Sequence, residues 1–268
     1  MNIKEMFNLR PAAGAIGLEI EVEGERLSRG GELPLWNVVG DGSLNDGLEY
    51  VLAKPLGLGG VSAALQQLKE SFTRNNTRLI QSARTSVHVH INVQMMTPKE
   101  VYSFITAYLV IEDVLTRFCG KEREGNLFCL RARDAEYMVD VLVSSVRRGN
   151  MDSLGDDNHR YAALNLCALH RFGSLEFRAM RGDVDFDTIK DWASMLLLLR
   201  NSAKKFNNPQ DIIRSFSEEG GGEAFLRSLV GKRADLLIPL CPDLDDLLHS
   251  GMRNAQDVAY AIPSWDEL

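Results

Sequence analysis

The sequence predicts an α+β domain, because strand-like and helix-like stretches fall into separate groups and two strand-like stretches are joined by a turn of hairpin length. Residues 15–22, 35–39, 48–52, 85–93, 161–169 and 174–180 alternate apolar with polar side chains or are rich in β-branched and aromatic residues, the pattern of half-buried strands. Between the last two lies His170-Arg171-Phe172-Gly173, whose glycine supplies a positive φ, so antiparallel pairing is expected. Helices are expected over 61–74, 98–118, 134–148 and 186–205. The second opens on Thr97-Pro98-Lys99-Glu100, where threonine and glutamate side chains satisfy each other's orphan amides and proline suits the first turn. The third closes on Arg147-Arg148-Gly149, cations at the negative end of the helix dipole followed by a residue able to turn left-handed. Beyond Asn207 only short helices broken by glycine and proline are expected, with no further strand. Residues 1–206 thus read as a catalytic domain and 207–268 as a helical extension packed on it.

At 268 residues, with 45 % apolar and 25 % charged side chains, the chain can bury a large core without disulfide or metal staples. Its 30 lysines and arginines against 37 acids give a net charge of -7, which argues against a broad basic surface for duplex nucleic acid and leaves room for a local basic pocket. Cys119, Cys129, Cys167 and Cys241 show no C-x-x-C spacing and sit in apolar stretches, as free thiols in a reducing compartment do. The N-terminal stretch lacks an apolar signal core, and the richest apolar runs, 105–111 and 193–199, are too short to cross a bilayer. A cytoplasmic protein without membrane contact is expected.

Four polar patterns carry the chemistry. In Gly17-Leu18-Glu19-Ile20-Glu21-Val22-Glu23, alternation puts three carboxylates on one face of a strand; this is either a solvated acidic edge or a hard-cation site, since carboxylates two apart can each give an oxygen to Mg²⁺. Val87-His88-Val89-His90-Ile91-Asn92 places two imidazoles and an amide on one side of an aliphatic strand, fitting a metal or phosphate as well as a plain surface. Glu176 and Arg178 share a face in Leu175-Glu176-Phe177-Arg178, either as a salt bridge or as part of a site. The paired strand enters through His159-Arg160-Tyr161, so Arg160, Arg178 and Arg181 are expected to gather where guanidinium forks could clamp phosphate. Asp41 in Gly40-Asp41-Gly42-Ser43 fits a glycine turn, and Glu49 is a lone acid on an apolar strand, readable as outward-facing or as part of the same face. Acids for Mg²⁺ and arginines for phosphate on one sheet face are what phosphoryl transfer from a nucleotide demands. P-loop, G-x-G-x-x-G, H-E-x-x-H and G-x-S-x-G motifs are absent.

The ordered set G-x-E-x-E-x-E, D-G-S-L, Gly47-Leu48-Glu49-Tyr50-Val51 with Pro55-Leu56, H-V-H-I-N, R-Y-x-x-L-N and L-E-F-R-x-x-R-G, spanning about 16–183, resembles the putative amidoligase family. That family belongs to the carboxylate-amine ligase superfamily, with glutamine synthetase and glutamate-cysteine ligase. The resemblance implies a curved antiparallel sheet with helices on its outer face, binding ATP and Mg²⁺ (or Mn²⁺) in the concavity. It makes Glu19, Glu21, Glu49, His88 and Glu176 metal ligands, gives Arg160, Arg178 and Arg181 the phosphates, and puts His90 and Asn92 near the nucleotide. It further implies an amide-forming ligase that passes through an acyl phosphate, acting on small-molecule or peptide carboxylates and amines, in a chain able to form a homo-oligomer. The resemblance does not carry a role over to Asp41, whose D-G-S tripeptide precedes the paired-glutamate strand in glutamine synthetase and follows it here; because the amine must arrive unprotonated, a nearby acid such as Glu49 or Asp41 would take its proton. Two departures concern acceptor recognition: Ala53-Lys54 replaces a serine-containing turn, and Glu23 adds a third acid. The alternatives are a phosphotransferase of guanido-kinase type, a metal-dependent hydrolase using His88 and His90, and a non-catalytic binding module.

Overall fold

The computed structural model describes residues 1–80, 82–135, 137–156, 160–182, 185–218 and 220–266. β1 (Ile16–Glu25) pairs antiparallel with β3 (Gly47–Leu52), β4 (Arg78–Ile80) and β5 (Ser86–Asn92). β3 pairs with β2 (Trp36–Val39), and β5 with β7 (Ser174–Arg181), which carries β6 (Leu164–Asn165). The order β2-β3-β1-β5-β7-β6 leaves an open, antiparallel sheet, with β4 off that path against β1. The molecule is α+β, as the sequence predicts.

Alternation sorts the side chains of this sheet. Leu18, Ile20 and Val22 of β1, Val87, Val89 and Ile91 of β5, and Leu175 and Phe177 of β7 are all buried on one face. Helices α2 (Leu58–Arg74), α3 (Pro98–Cys119) and α6 (Phe186–Ala203) cover it. Phe104 and Tyr108 of α3 pack their rings on Phe177, Phe72 of α2 stands edge-on to Tyr50 of β3, and the Trp36 indole donates to the Ala64 carbonyl at 3.0 Å. α3 opens with the expected capping box of Thr97 and Glu100. Its outer side is covered in turn by α7 (Pro209–Glu218) and α10 (Leu244–Ala259), with α8 (Gly222–Val230) and α9 (Ala234–Leu237) alongside. The buried apolar side chains form one cluster from Ile3 to Trp265, so the residues beyond 207 share the core of the sheet. No helix among the described residues is long and apolar enough to cross a membrane, and all four cysteines are free and buried.

Some expectations are corrected. The strand expected over 161–169 shrinks to Leu164–Asn165: the Asn165 side chain accepts the Cys167 amide at 3.0 Å and turns the chain into α5 (Ala168–Phe172), which Gly173 ends at φ +66. A helical turn therefore replaces the hairpin loop. The third long helix, α4 (Met138–Arg148), begins four residues late, because Asp134 is held by Arg131 in the preceding turn and Tyr137 sits at φ +61. β4, three exposed residues with no alternation, gives no signal in the sequence and is recognised only from its pairing with Glu23–Glu25. α10 is a 16-residue helix where short ones were expected. His159 lies outside the described residues.

The N-terminal arm, after α1 (Ile3–Met6), crosses the end of the sheet and is pinned there by two amides. Asn92 donates to the carbonyls of Ala12 and Gly14, at 3.1 and 2.8 Å. Gln94, buried, accepts from the Ala12 amide and donates to the carbonyls of Arg10 and Phe172. Leu56 and Ile16 exchange backbone hydrogen bonds of 2.8 and 2.9 Å, and at Gly14 a Cβ would stand only 2.0 Å from the Pro55 carbonyl carbon.

A similar close approach joins α10 to α3, where a Cβ on Gly251 would lie 2.3 Å from the Val110 carbonyl oxygen. Gly251→Ala is expected to destabilise the protein by about 1–3 kcal/mol through overpacking. The measurement is urea unfolding, read as a lower midpoint at unchanged slope; an unchanged midpoint would mean the two helices can separate at no cost.

Candidate active site

The sheet face opposite the helices collects the polar members of the same strands. Across the pairings, Glu19 faces His88, Glu21 faces Glu49, and His90 faces Glu176, and opposed residues of antiparallel strands share a face. A register irregularity between Val87 and Val89 brings Arg178 in beside them.

The contacts form a connected net. Glu19 Oε2 lies 3.1 Å from His88 Nδ1 and its Oε1 3.2 Å from His90 Nε2. Ser86 donates to Glu21 Oε2 at 2.6 Å and stands 2.7 Å from His88 Nε2, so both ring nitrogens of His88 are engaged. Asn165 donates to Glu176 Oε2 at 2.7 Å, while Arg178 donates to Glu176 Oε1 and comes within 3.4 Å of His88 Nδ1. His88, Glu21 and Glu176 are buried.

Charge is finely divided here. Burial works to raise the Glu19 carboxyl, but hydrogen bonds and charge from His88 and His90 outweigh it and hold Glu19 well below the usual carboxylate range. His90 shows the reverse balance: burial disfavours its charge, and Glu19 with Glu176 more than restores it, so its pKa is raised. Glu49 is pushed up to about 7 by burial and by the carboxylates of Glu19, Glu21 and Asp41. A site that protonates one of its own acids near neutrality has too many carboxylates for the cations it contains.

The donor set fits divalent cations. Oxygen and nitrogen atoms of Glu19, Glu49 and His88 lie within 4.8 Å of one another, and so do those of Glu19, His90 and Glu176. Glu19 belongs to both groups, so its two oxygens could serve adjacent ions, and carboxylate oxygen with imidazole suits Mg²⁺ or Mn²⁺. Arg178 Nε is buried and has no hydrogen-bond partner among the described residues.

The structure thus brings together Glu19, Glu21, Glu49, His88, His90, Glu176 and Arg178. Asp41 lies at the rim, close enough for its charge to act on Glu49, with Oδ1 accepting the Ser43 amide at 2.7 Å. The extra acid Glu23 is buried and accepts the Asn45 amide at 2.7 Å, which makes it a brace for that glycine loop. The expected gathering of arginines does not form. Arg160 is exposed, lying 4.7 Å over the Tyr161 ring and donating to its hydroxyl, and Arg181 donates to the Phe118 carbonyl at the end of α3. Asn92 spends its amide on the N-terminal arm. Sequence reasoning missed Ser86 and Asn165 as members of the net, although alternation from His88 and the final asparagine of R-Y-x-x-L-N marked their positions.

Beside the cluster a cavity of about 540 Å³ shares Glu19 and His90 as part of its wall and continues to the Ala53-Lys54-Pro55 turn.

The sequence profile of the family described as a putative amidoligase enzyme matches residues 53–199, over half of the chain. The matched span contains His88, His90, Glu176 and Arg178, and the acids of β1 and β3 precede it. No curated protein matches the chain.

Between the unfolded Glu49 value near 4.5 and about 7, the folded protein keeps a proton on Glu49 that the unfolded chain has lost, so stability falls as pH rises through that window. Thermal melts in a chelator should show Tm declining over this range. Glu49→Gln should flatten the decline; an identical slope in the variant would mean that Glu49 ionises as an ordinary surface acid.

Proposed function

Because the chain belongs to the putative amidoligase family, we propose that it joins a carboxylate to an amine, using ATP and passing through an acyl phosphate. The observation that carries the reading is Glu19, one carboxylate shared by two potential cation sites, with Arg178 a hydrogen bond away from the same cluster.

A carboxylate resists amines at neutral pH, because its charge repels nucleophiles and its oxygen is a poor leaving group. Activation removes both obstacles. A carboxylate oxygen of the acid bonds to the γ-phosphorus of ATP, the bond from that phosphorus to the β–γ bridging oxygen breaks, and ADP departs with the electron pair. The amine nitrogen then bonds to the acyl carbon, the carbon–oxygen bond to phosphate breaks, and phosphate leaves.

Glu19, Glu21, Glu49, His88 and Glu176 are the residues that would hold divalent cations, and His90 completes the second group of donors. When bound, such ions neutralise the nucleotide's phosphates and polarise the transferring group. Arg178 supports the same charge from the protein side, oriented by Glu176, which Asn165 orients in turn. Ser86 fixes the His88 ring against Glu19. The amine must attack as the free base, and Glu49 or Asp41 would take its proton.

The test is turnover of Mg-ATP against a panel of amino acids, polyamines and peptides, with mass spectrometry for condensation by loss of one water. Phosphate released in equal amount to amide is expected. Glu19→Gln should lower turnover by about 10²–10³-fold with an unchanged far-UV spectrum. A stable phosphorylated acid formed without any amine would replace this reading with a phosphotransferase, and full turnover in Glu19→Gln would remove the site altogether.

A further inference from the structure

At the acid cluster β7 carries one residue more than β5. Val87 pairs with Met180 and Val89 with Phe177, so His88 alone is opposed by two residues, Arg178 and Ala179. Such a bulge bends its strand and re-aims the side chains it carries. Here it returns Met180 to the buried face opposite Val87, while Arg178 reaches Glu176 and His88 on the polar face.

The bulge lies just past the two residues of β6, where the Arg178 N–H still reaches the Ala163 carbonyl at 2.8 Å. The carbonyls of the two bulged residues go to a single side chain. Arg123 donates from Nη2 to the Arg178 carbonyl at 3.0 Å and from Nε to the Ala179 carbonyl at 3.1 Å. Arg123 ends one 3₁₀ turn, Lys121–Arg123, which follows α3 across Gly120. Gly120 sits at φ +117, and a Cβ there would stand 2.9 Å from the Glu122 carboxylate and 3.0 Å from Arg181 Cδ. The Arg123 carbonyl accepts from the Cys129 thiol at 3.7 Å, which ties the turn to the loop that follows it.

A buried guanidinium is a costly means of satisfying two carbonyls. Arg123 is only 2 % exposed, and no carboxylate among the described residues pairs with it. Its charge acts on Cys119 and Cys129, thiols that burial keeps neutral by pushing their pKa values up. What the guanidinium provides is a planar fork of N–H donors at fixed spacing, able to hold two successive carbonyls in one geometry. We propose that Arg123 is a positioning residue: by clamping both carbonyls of the bulge, it sets the backbone from which Arg178 reaches the acid cluster. Its effect on a nucleotide rests on the role of Arg178 in the ligase reading; the clamp rests on the geometry alone.

Arg123→Lys keeps the charge but offers one nitrogen where two are used. Amide hydrogen exchange read by mass spectrometry should show residues 176–181 exchanging at least about tenfold faster in this variant, with α10 unchanged. Calorimetric titration with Mg²⁺ and the nonhydrolysable nucleotide AMP-PNP should show affinity reduced by about five- to tenfold. Arg178→Gln should lose at least as much, and the double variant no more than Arg178→Gln alone. Arg123→Gln, which removes the buried charge and keeps an amide donor, serves for both measurements if the lysine variant does not fold. Wild-type exchange at 176–181 would overturn the proposal, and so would equal acceleration in α10, which would make Arg123 a general support of the fold. Additive losses in the double variant would also overturn it, because Arg123 would then act by a route other than Arg178. So would an AMP-PNP affinity lowered in Arg178→Gln but unchanged in Arg123→Lys. If the wild-type protein binds no AMP-PNP while exchange quickens at 176–181 alone, the clamp stands and the ATP-dependent ligase falls.

Discussion

Four carboxylates on adjoining strands repel one another, and the arrangement of this sheet face follows from how that repulsion is met. Two imidazoles and one guanidinium interleave with the acids, and Glu49 takes a proton near neutrality where the compensation runs out. Removing water from like charges at these separations is costly unless each has a partner. The net therefore leaves little slack: Ser86 directs Glu21 and, with Glu19, holds His88, while Asn165 directs Glu176, which holds Arg178. On the proposed reading, the positive charge that this arrangement lacks would come from divalent cations.

The scaffold achieves this with the least specialised element available. An antiparallel sheet with one face packed on helices must expose its alternate side chains on the other face, and pairing in register sets residues from β1, β3, β5 and β7 opposite one another at fixed separation. The apolar half of each strand is buried under α2, α3 and α6, so a slip by one residue would put carboxylates into the core and leucines at the surface. Core packing and site geometry are thus enforced by one register.

This explains which features the sequence discloses. Glu19, Glu21, His88, His90, Glu176 and Arg178 were legible because a period of two is local: each is flanked by apolar residues that declare which way it points. Arg160 and Arg181 were not, since a long side chain can reach several partners: Arg160 lies over the ring of its neighbour Tyr161, and Arg181, at the end of β7, donates to the distant Phe118 carbonyl. Asn165 was visible in its motif, but its capture of the Cys167 amide, which ends the strand, depends on three-dimensional placement. β4 carries no pattern and exists through its partner. Gln94 carries no mark in the sequence, and its importance lies in backbone segments that only the fold brings within reach.

The contact of Gly14 with Pro55 divides the protein's evolvable positions into two classes. Where two main chains touch, any added carbon is excluded, so position 14 can change only if the arm itself is rerouted. Positions 10 and 54 hang exposed side chains outward from that same fixed frame and can exchange charge, length or polarity without disturbing it. Lineages that keep the glycine can therefore diverge in what the cavity accepts while inheriting the same chemistry beside it.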